Sequence, residues 1–225
     1  MPTSDYHTIS DVLHVIEQYH PKRILDVGVG FGRWGVLLRE VLEIYGERLN
    51  SEEWVTVIEG MEIFEGYRNP LWEFAYNKVY VGDAFEQLDR TGRYDLIIAG
   101  DVIEHFDKDK GKVFLEKMLD HADLVLVTSP RGQFPQSNLF GNEHERHLSE
   151  WSIQDFAPFP HLYKDIGATF LAVLSKDKVH LHGIELRQPL EVLGVKKGVL
   201  ELAKLTWRQA KYRFKEGLSL LNNGS

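Results

Sequence analysis

The chain contains no cysteine, which removes disulfides, thiolate zinc sites and every cysteine nucleophile from consideration. Nowhere do 18 apolar residues follow one another, and the opening MPTSDYHTISDV has neither the positive n-region nor the apolar run of a secretory signal. A cytoplasmic protein is expected. Basic residues are in deficit too: 26 Lys and Arg face 34 Asp and Glu, for a formal net charge of −8. Phosphate neutralisation supplies most non-specific nucleic-acid affinity, so this balance argues against a nucleic-acid partner. Repeats and low-complexity tracts are missing as well. What remains is 225 residues, 43% of them hydrophobic, enough for one globular domain whose core needs no covalent staple.

Short apolar runs alternate with longer amphipathic stretches, which predicts an α/β fold with a doubly wound, mostly parallel Rossmann-like sheet. Strands are expected over 23–27, 54–58 continuing toward Glu62, 78–81, 94–99, 124–128 and 169–174; their near-continuous Val, Ile and Leu suits strands covered on both faces. Ile9, Val12, Leu13 and Ile16 fall on one face of an opening helix over 9–19, capped by Thr8 or Ser10 and ended before Pro21. This domain is expected to occupy residues 1–185. The segment 186–225 inverts the charge, with eight Lys and Arg against three Glu, and its apolar residues recur at helical spacing. It reads as a basic amphipathic helical extension suited to packing or a dimer contact, a peripheral membrane contact, or an RNA or partner-protein contact.

The most informative stretch is Ile24-Leu25-Asp26-Val27-Gly28-Val29-Gly30-Phe31-Gly32, an apolar strand running into a glycine-rich turn and then a helix. Glycines let backbone approach a ligand closely at a helix N-terminus, so a nucleotide-like ligand is expected there. Gly30 to Gly35 also satisfies GxGxxG, which brings a nicotinamide-dependent dehydrogenase into view. Asp26 separates the readings. A carboxylate lining the loop would repel a pyrophosphate, whereas a ligand bearing cationic groups would welcome it.

DVGVGFG resembles the first motif of class I S-adenosylmethionine-dependent methyltransferases, and further motifs follow in family order across residues 20–176. The resemblance implies a seven-stranded methyltransferase-type sheet and S-adenosylmethionine as the bound methyl donor. It implies that Asp26, Gly28, Gly30 and Gly32 form the first motif. Glu62, followed by Ile63, matches the acid that accepts both ribose hydroxyls and is preferred to Glu59; Asp83 and Ala84 match the motif at the adenine. Gly100-Asp101-Val102-Ile103-Glu104-His105-Phe106 is similar to the motif after the fourth strand, with Asp101 beside the methionine moiety. Against these roles, Asp26 could cap its turn, Asp83 could be a turn acid, and Asp101 could cap a helix beginning near Val102.

Methyl transfer from a sulfonium needs alignment above all, and a base only where the acceptor must lose a proton. His105, at the carboxyl edge of the sheet, is the first candidate base, with packing against the sheet as its alternative role. His144 and His147 lie in Gly141-Asn142-Glu143-His144-Glu145-Arg146-His147, a long loop after the fifth strand. The resemblance places them on the acceptor side, ahead of a cap and helix at 151–156. Glu143, His144 and His147 are one residue short of HExxH spacing, so no metal is expected. Cytosine C5 methylation would need the absent cysteine. The Asn/Asp-Pro-Pro-aromatic motif of amino-directed DNA methylases is missing too, so a small-molecule acceptor methylated on oxygen or nitrogen is expected. A non-catalytic adenosylmethionine-binding module and the dehydrogenase are the rivals.

Overall fold

The computed structural model describes residues 4–132 and 135–187. The expected basic extension therefore lies, from residue 188 onward, outside the described residues. Seven strands form one sheet: β1 (Arg23–Val27), β2 (Val57–Glu62), β3 (Lys78–Val81), β4 (Tyr94–Gly100), β5 (Ala122–Pro130), β6 (His161–Asp165) and β7 (Thr169–Leu174). Their order is β3-β2-β1-β4-β5-β7-β6. Pairing is parallel from β3 across to β5, whereas β7 runs antiparallel to both β5 and β6.

Two-residue alternation along the strands divides the core. Leu25, Val27, Ile97, Ala99 and Val125 face α5 (Lys108–His121), which buries Phe114, Leu115, Met118 and Leu119 against them. Ile24, Ile58, Leu96 and Ile98 face the other way, onto α1 (Ile9–Tyr19), α2 (Arg33–Leu42) and α3 (Pro70–Ala75). The doubly wound layering is thus a direct result of apolar residues on both faces of each central strand. A short α4 (Ala84–Gln87) follows β3.

Several local expectations are corrected. β2 begins at Val57, not Trp54, because the buried Glu43 carboxylate takes the Val55 and Thr56 N–H groups at 3.2 and 2.8 Å. Those amides have a side-chain partner in place of a ladder. The edge strand β6, His161-Leu162-Tyr163-Lys164-Asp165, has no apolar run to announce it, since its residues are only half-buried or exposed. Thr8 precedes α1 but makes no side-chain cap, its hydroxyl donating to the Asp5 carbonyl at 2.7 Å.

Candidate functional site

The chain runs outward from β1 to β3 and then crosses back to β4, so the carboxyl ends of β1 and β4 diverge into a crevice. A cavity of about 360 Å³ opens there. The loop after β1 lines it with Gly28 and Gly30, both left-handed at φ 77° and 52°. That loop is fastened to β2: the N–H groups of Gly28 and Val29 donate to the Met61 carbonyl at 2.8 and 3.1 Å. Gly30 N–H donates to Glu62 Oε2 at 2.8 Å, while Glu62 Oε1 accepts from Phe64 N–H at 2.9 Å. Glu62 is almost wholly buried yet lines the cavity beside Ile63, and burial pushes its carboxyl above the ordinary range.

Asp83 and Ala84 stand on the same wall. Asp83 combines two of its readings, since Oδ1 caps α4 by accepting from Phe85 N–H at 2.8 Å while the residue still borders the cavity. Asp101 follows β4 with φ 55° and does not start a helix. A single 3₁₀ turn, Ile103–His105, comes next, and α5 begins only at Lys108 with Asp107 as its cap. The Asp101 carboxylate instead accepts from the Asp5 N–H at 2.9 Å and the Thr128 hydroxyl at 3.2 Å, and burial raises its pKa. Among the described lining residues, five acids (Glu62, Asp83, Asp101, Asp107 and Glu145) stand against two Lys or Arg side chains, Arg33 and Lys110, with His105 and His144 beside them.

Two of the expected first-motif residues lie off the cavity wall. Asp26 shares the strand face of Ile24, and its fully buried carboxylate accepts from the Tyr76 hydroxyl at 2.5 Å. The expectation that it lines the loop is corrected: strand alternation turns it under the loop and toward the end of α3. Burial pushes its carboxyl up to about 7, against the lowering effect of the Tyr76 hydrogen bond. Gly32, at φ 89°, packs against Leu71 and Trp72 and begins α2. Because the folded-state pKa of Asp26 exceeds its ordinary value near 3.8, the unfolded chain releases this proton first. Its contribution to stability should therefore decline as pH rises from about 4 through 7. Thermal melts between pH 5 and 8 should fall more gently for Asp26→Asn than for the wild type; parallel profiles would show that Asp26 is ionised in the fold throughout.

On the acceptor side, His105 and His144 line the cavity and His147 does not. The His105 and His147 rings are 4.9 Å apart, edge to face. His105 Nδ1 lies 3.1 Å from the Arg146 carbonyl, which can only accept, so Nδ1 carries the proton and Nε2 is the basic position. Burial lowers its pKa below 6.5, keeping the ring neutral at pH 7. The expected cap and helix at 151–156 are one 3₁₀ turn, Ile153–Phe156, capped by Ser152; Pro158 and Pro160 prevent its extension.

Several wall residues carried no sequence signal. Tyr67 donates its hydroxyl to Glu145 Oε1 at 2.8 Å and accepts from Asn142 Nδ2 at 3.3 Å, tying the long loop to the segment after β2. Arg33 donates to the Ser4 carbonyl, drawing the amino-terminal segment over the cavity edge. These contacts join residues far apart in sequence, and no local pattern encodes them.

Scans of known family models and of curated proteins find no match. Solved structures do match. The methyltransferase domain of bacterial CtHen1 superposes with a TM-score of 0.53 at 17% identity, over 75% of this chain and 97% of that one. A TehB-like SAM-dependent methyltransferase from Corynebacterium glutamicum gives 0.52 at 16% identity, over 76% and 88%. PigF, solved with SAH, gives 0.53 at 14% identity over 76% of this chain, which spans only 55% of it. At these identities the likeness is one of fold: the seven-stranded sheet is of the class I methyltransferase type.

Proposed function

We propose that the chain is an S-adenosylmethionine-dependent methyltransferase acting on an oxygen or nitrogen of a small-molecule acceptor. The observation that carries this reading is the acidic wall at the glycine loop, formed by Glu62, Asp83 and Asp101. A dinucleotide pyrophosphate would be repelled there, whereas an ammonium and a sulfonium are attracted. Asp26, turned away from the cavity, takes no part in this discrimination. The residues fit the donor in detail as well. Each Glu62 oxygen accepts one backbone N–H and retains acceptor capacity, so the carboxylate can receive both hydroxyls of a vicinal diol. Asp83 and Ala84 would border the base, and Asp101 the amino-acid end.

When bound, the donor supplies a methyl group already activated by the sulfonium. The protein's part is then to hold the acceptor in line and exclude water. His105 offers a neutral Nε2 to an acceptor that must lose a proton, and the exposed His144 borders the same cavity. His147 stands behind His105 and supports it from the loop. The net charge and the missing DNA-methylase motif favour a small acceptor over nucleic acid.

The test is calorimetric titration with adenosylhomocysteine and, separately, with NADH, followed by incubation with methyl-labelled donor and a panel of hydroxyl- and amine-bearing metabolites. Adenosylhomocysteine should bind and NADH should not, and label should pass to an acceptor. Binding without transfer to any acceptor would favour the non-catalytic module, and NADH binding would reject the assignment.

A further inference from the structure

The turn after β4 and the loop after β5 meet at a cluster that adds a buried carboxylate, Glu104, to the two histidines of the acceptor side. One carboxylate oxygen of Glu104 and one ring nitrogen each of His105 and His147 lie within 4.8 Å of one another. Glu143 and His144, weighed as ligands with His147 from sequence spacing, are not part of this group; Glu104, unremarked in its motif, is. The placement is built into the backbone, because the Glu104 carbonyl accepts from both Leu148 N–H at 2.8 Å and Ser149 N–H at 3.1 Å. Those bonds hold the residue next to His147 against the 3₁₀ turn that carries Glu104 and His105. Trp151 fastens the same joint, donating from Nε1 to the Ile103 carbonyl at 3.2 Å.

A second observation points to a ligand. Glu104 is 2% exposed; its Oε2 accepts from the Ser129 hydroxyl at 3.0 Å, and its Oε1 is buried with no hydrogen-bond partner. A buried carboxylate oxygen without a partner is costly unless a proton or a cation completes it. The neighbouring His105 is already oriented as a ligand would be, with Nδ1–H on a backbone carbonyl and its Nε2 lone pair available. Two imidazoles and one carboxylate form a donor set for first-row divalent ions and leave coordination positions open.

We propose that Glu104, His105 and His147 bind a first-row divalent metal ion, and that the ion holds a hydroxyl oxygen of the methyl acceptor at the cavity wall. The second half rests on the methyltransferase reading; the first does not. It narrows the acceptor to an oxygen nucleophile, since a bound divalent ion polarises a hydroxyl and eases loss of its proton to solvent. It also reassigns His105, whose Nε2 cannot ligate the ion and act as base at once.

The experiment uses the full chain, stripped with chelator and titrated with Co²⁺ by calorimetry and visible absorption, with Zn²⁺ as competitor. One Co²⁺ should bind, and Glu104→Gln and His147→Ala should each weaken it by at least about tenfold. His14→Ala, on α1, should leave it unchanged. Adenosylhomocysteine titration of the same variants reports whether the donor site is intact, so the metal assignment and the methyltransferase reading fail separately. Absence of stoichiometric Co²⁺ binding, or binding that survives His147→Ala in a folded variant, overturns the site. Methyl transfer undiminished by chelator overturns the ion's role and returns Nε2 of His105 to the base.

Discussion

Glu62→Ala is expected to weaken adenosylhomocysteine binding by well over tenfold while leaving a folded protein. The carboxylate stands at the end of β2 and takes the N–H groups of Gly30 and Phe64 at 2.8 and 2.9 Å, so it both shapes the glycine loop and faces the cavity. Alanine removes the acceptor for the diol, a charge-assisted contact worth about 1.5–3 kcal/mol of affinity, and leaves two amides without a partner, a cost that falls on the stability of the loop. A tenfold change corresponds to about 1.4 kcal/mol, so even the lower figure is measurable by calorimetry. Glu62→Gln separates the contributions: its carbonyl can keep one amide, while its NH₂ group opposes the other, and affinity should fall between the two. Equal affinity for wild type and Glu62→Ala would remove the donor site from this cavity.

The second large effect is expected at Gly28→Ala. Its φ of 77° costs an alanine about 1–2 kcal/mol, and the new Cβ would sit 2.6 Å from Val102 Cγ2, forcing the cavity wall to shift. Overpacking of that kind adds about 1–3 kcal/mol. Together, at about 2–5 kcal/mol, these predict a fall in melting temperature of roughly 4–20 °C for a chain of this size, with donor binding lost through displacement of Val102. Gly167→Ala is the control, since its φ of 90° carries the same backbone cost with nothing within 4 Å of the added carbon. If both substitutions lower the melting temperature equally, contact with Val102 is irrelevant and the loop tolerates a side chain.

The central strands were legible because both their faces are buried, which leaves only a few polar residues among the apolar ones in 23–27, 94–99 and 169–174. β6 was not, because an edge strand with half-exposed faces needs no such run. The glycine loop, Glu62 and Asp83 were readable as local patterns and do gather at one cavity. Asp26 shows the limit of such reading. Its position in the motif was evident, but only strand alternation and the Tyr76 hydroxyl, fifty residues away, decide which way its carboxylate turns. Glu104 shows the converse, a residue inside a quoted motif whose weight depends on a loop forty residues later.

Tyr67 gives the molecule a seam. Its phenol, with a pKa that burial pushes up to about 12, stays a neutral donor at any physiological pH and joins Glu145 to the segment that follows Glu62. The stretch from Gln136 to Ser149 is thus strung between two fixed posts, this phenol and the Trp151 indole. Its exposed members, Glu143 and His144 among them, can be exchanged without disturbing the glycine floor, which is fastened to β2 by bonds of its own. The wall that the loop builds and the floor that β2 holds are therefore anchored separately, and a change in one does not unfasten the other.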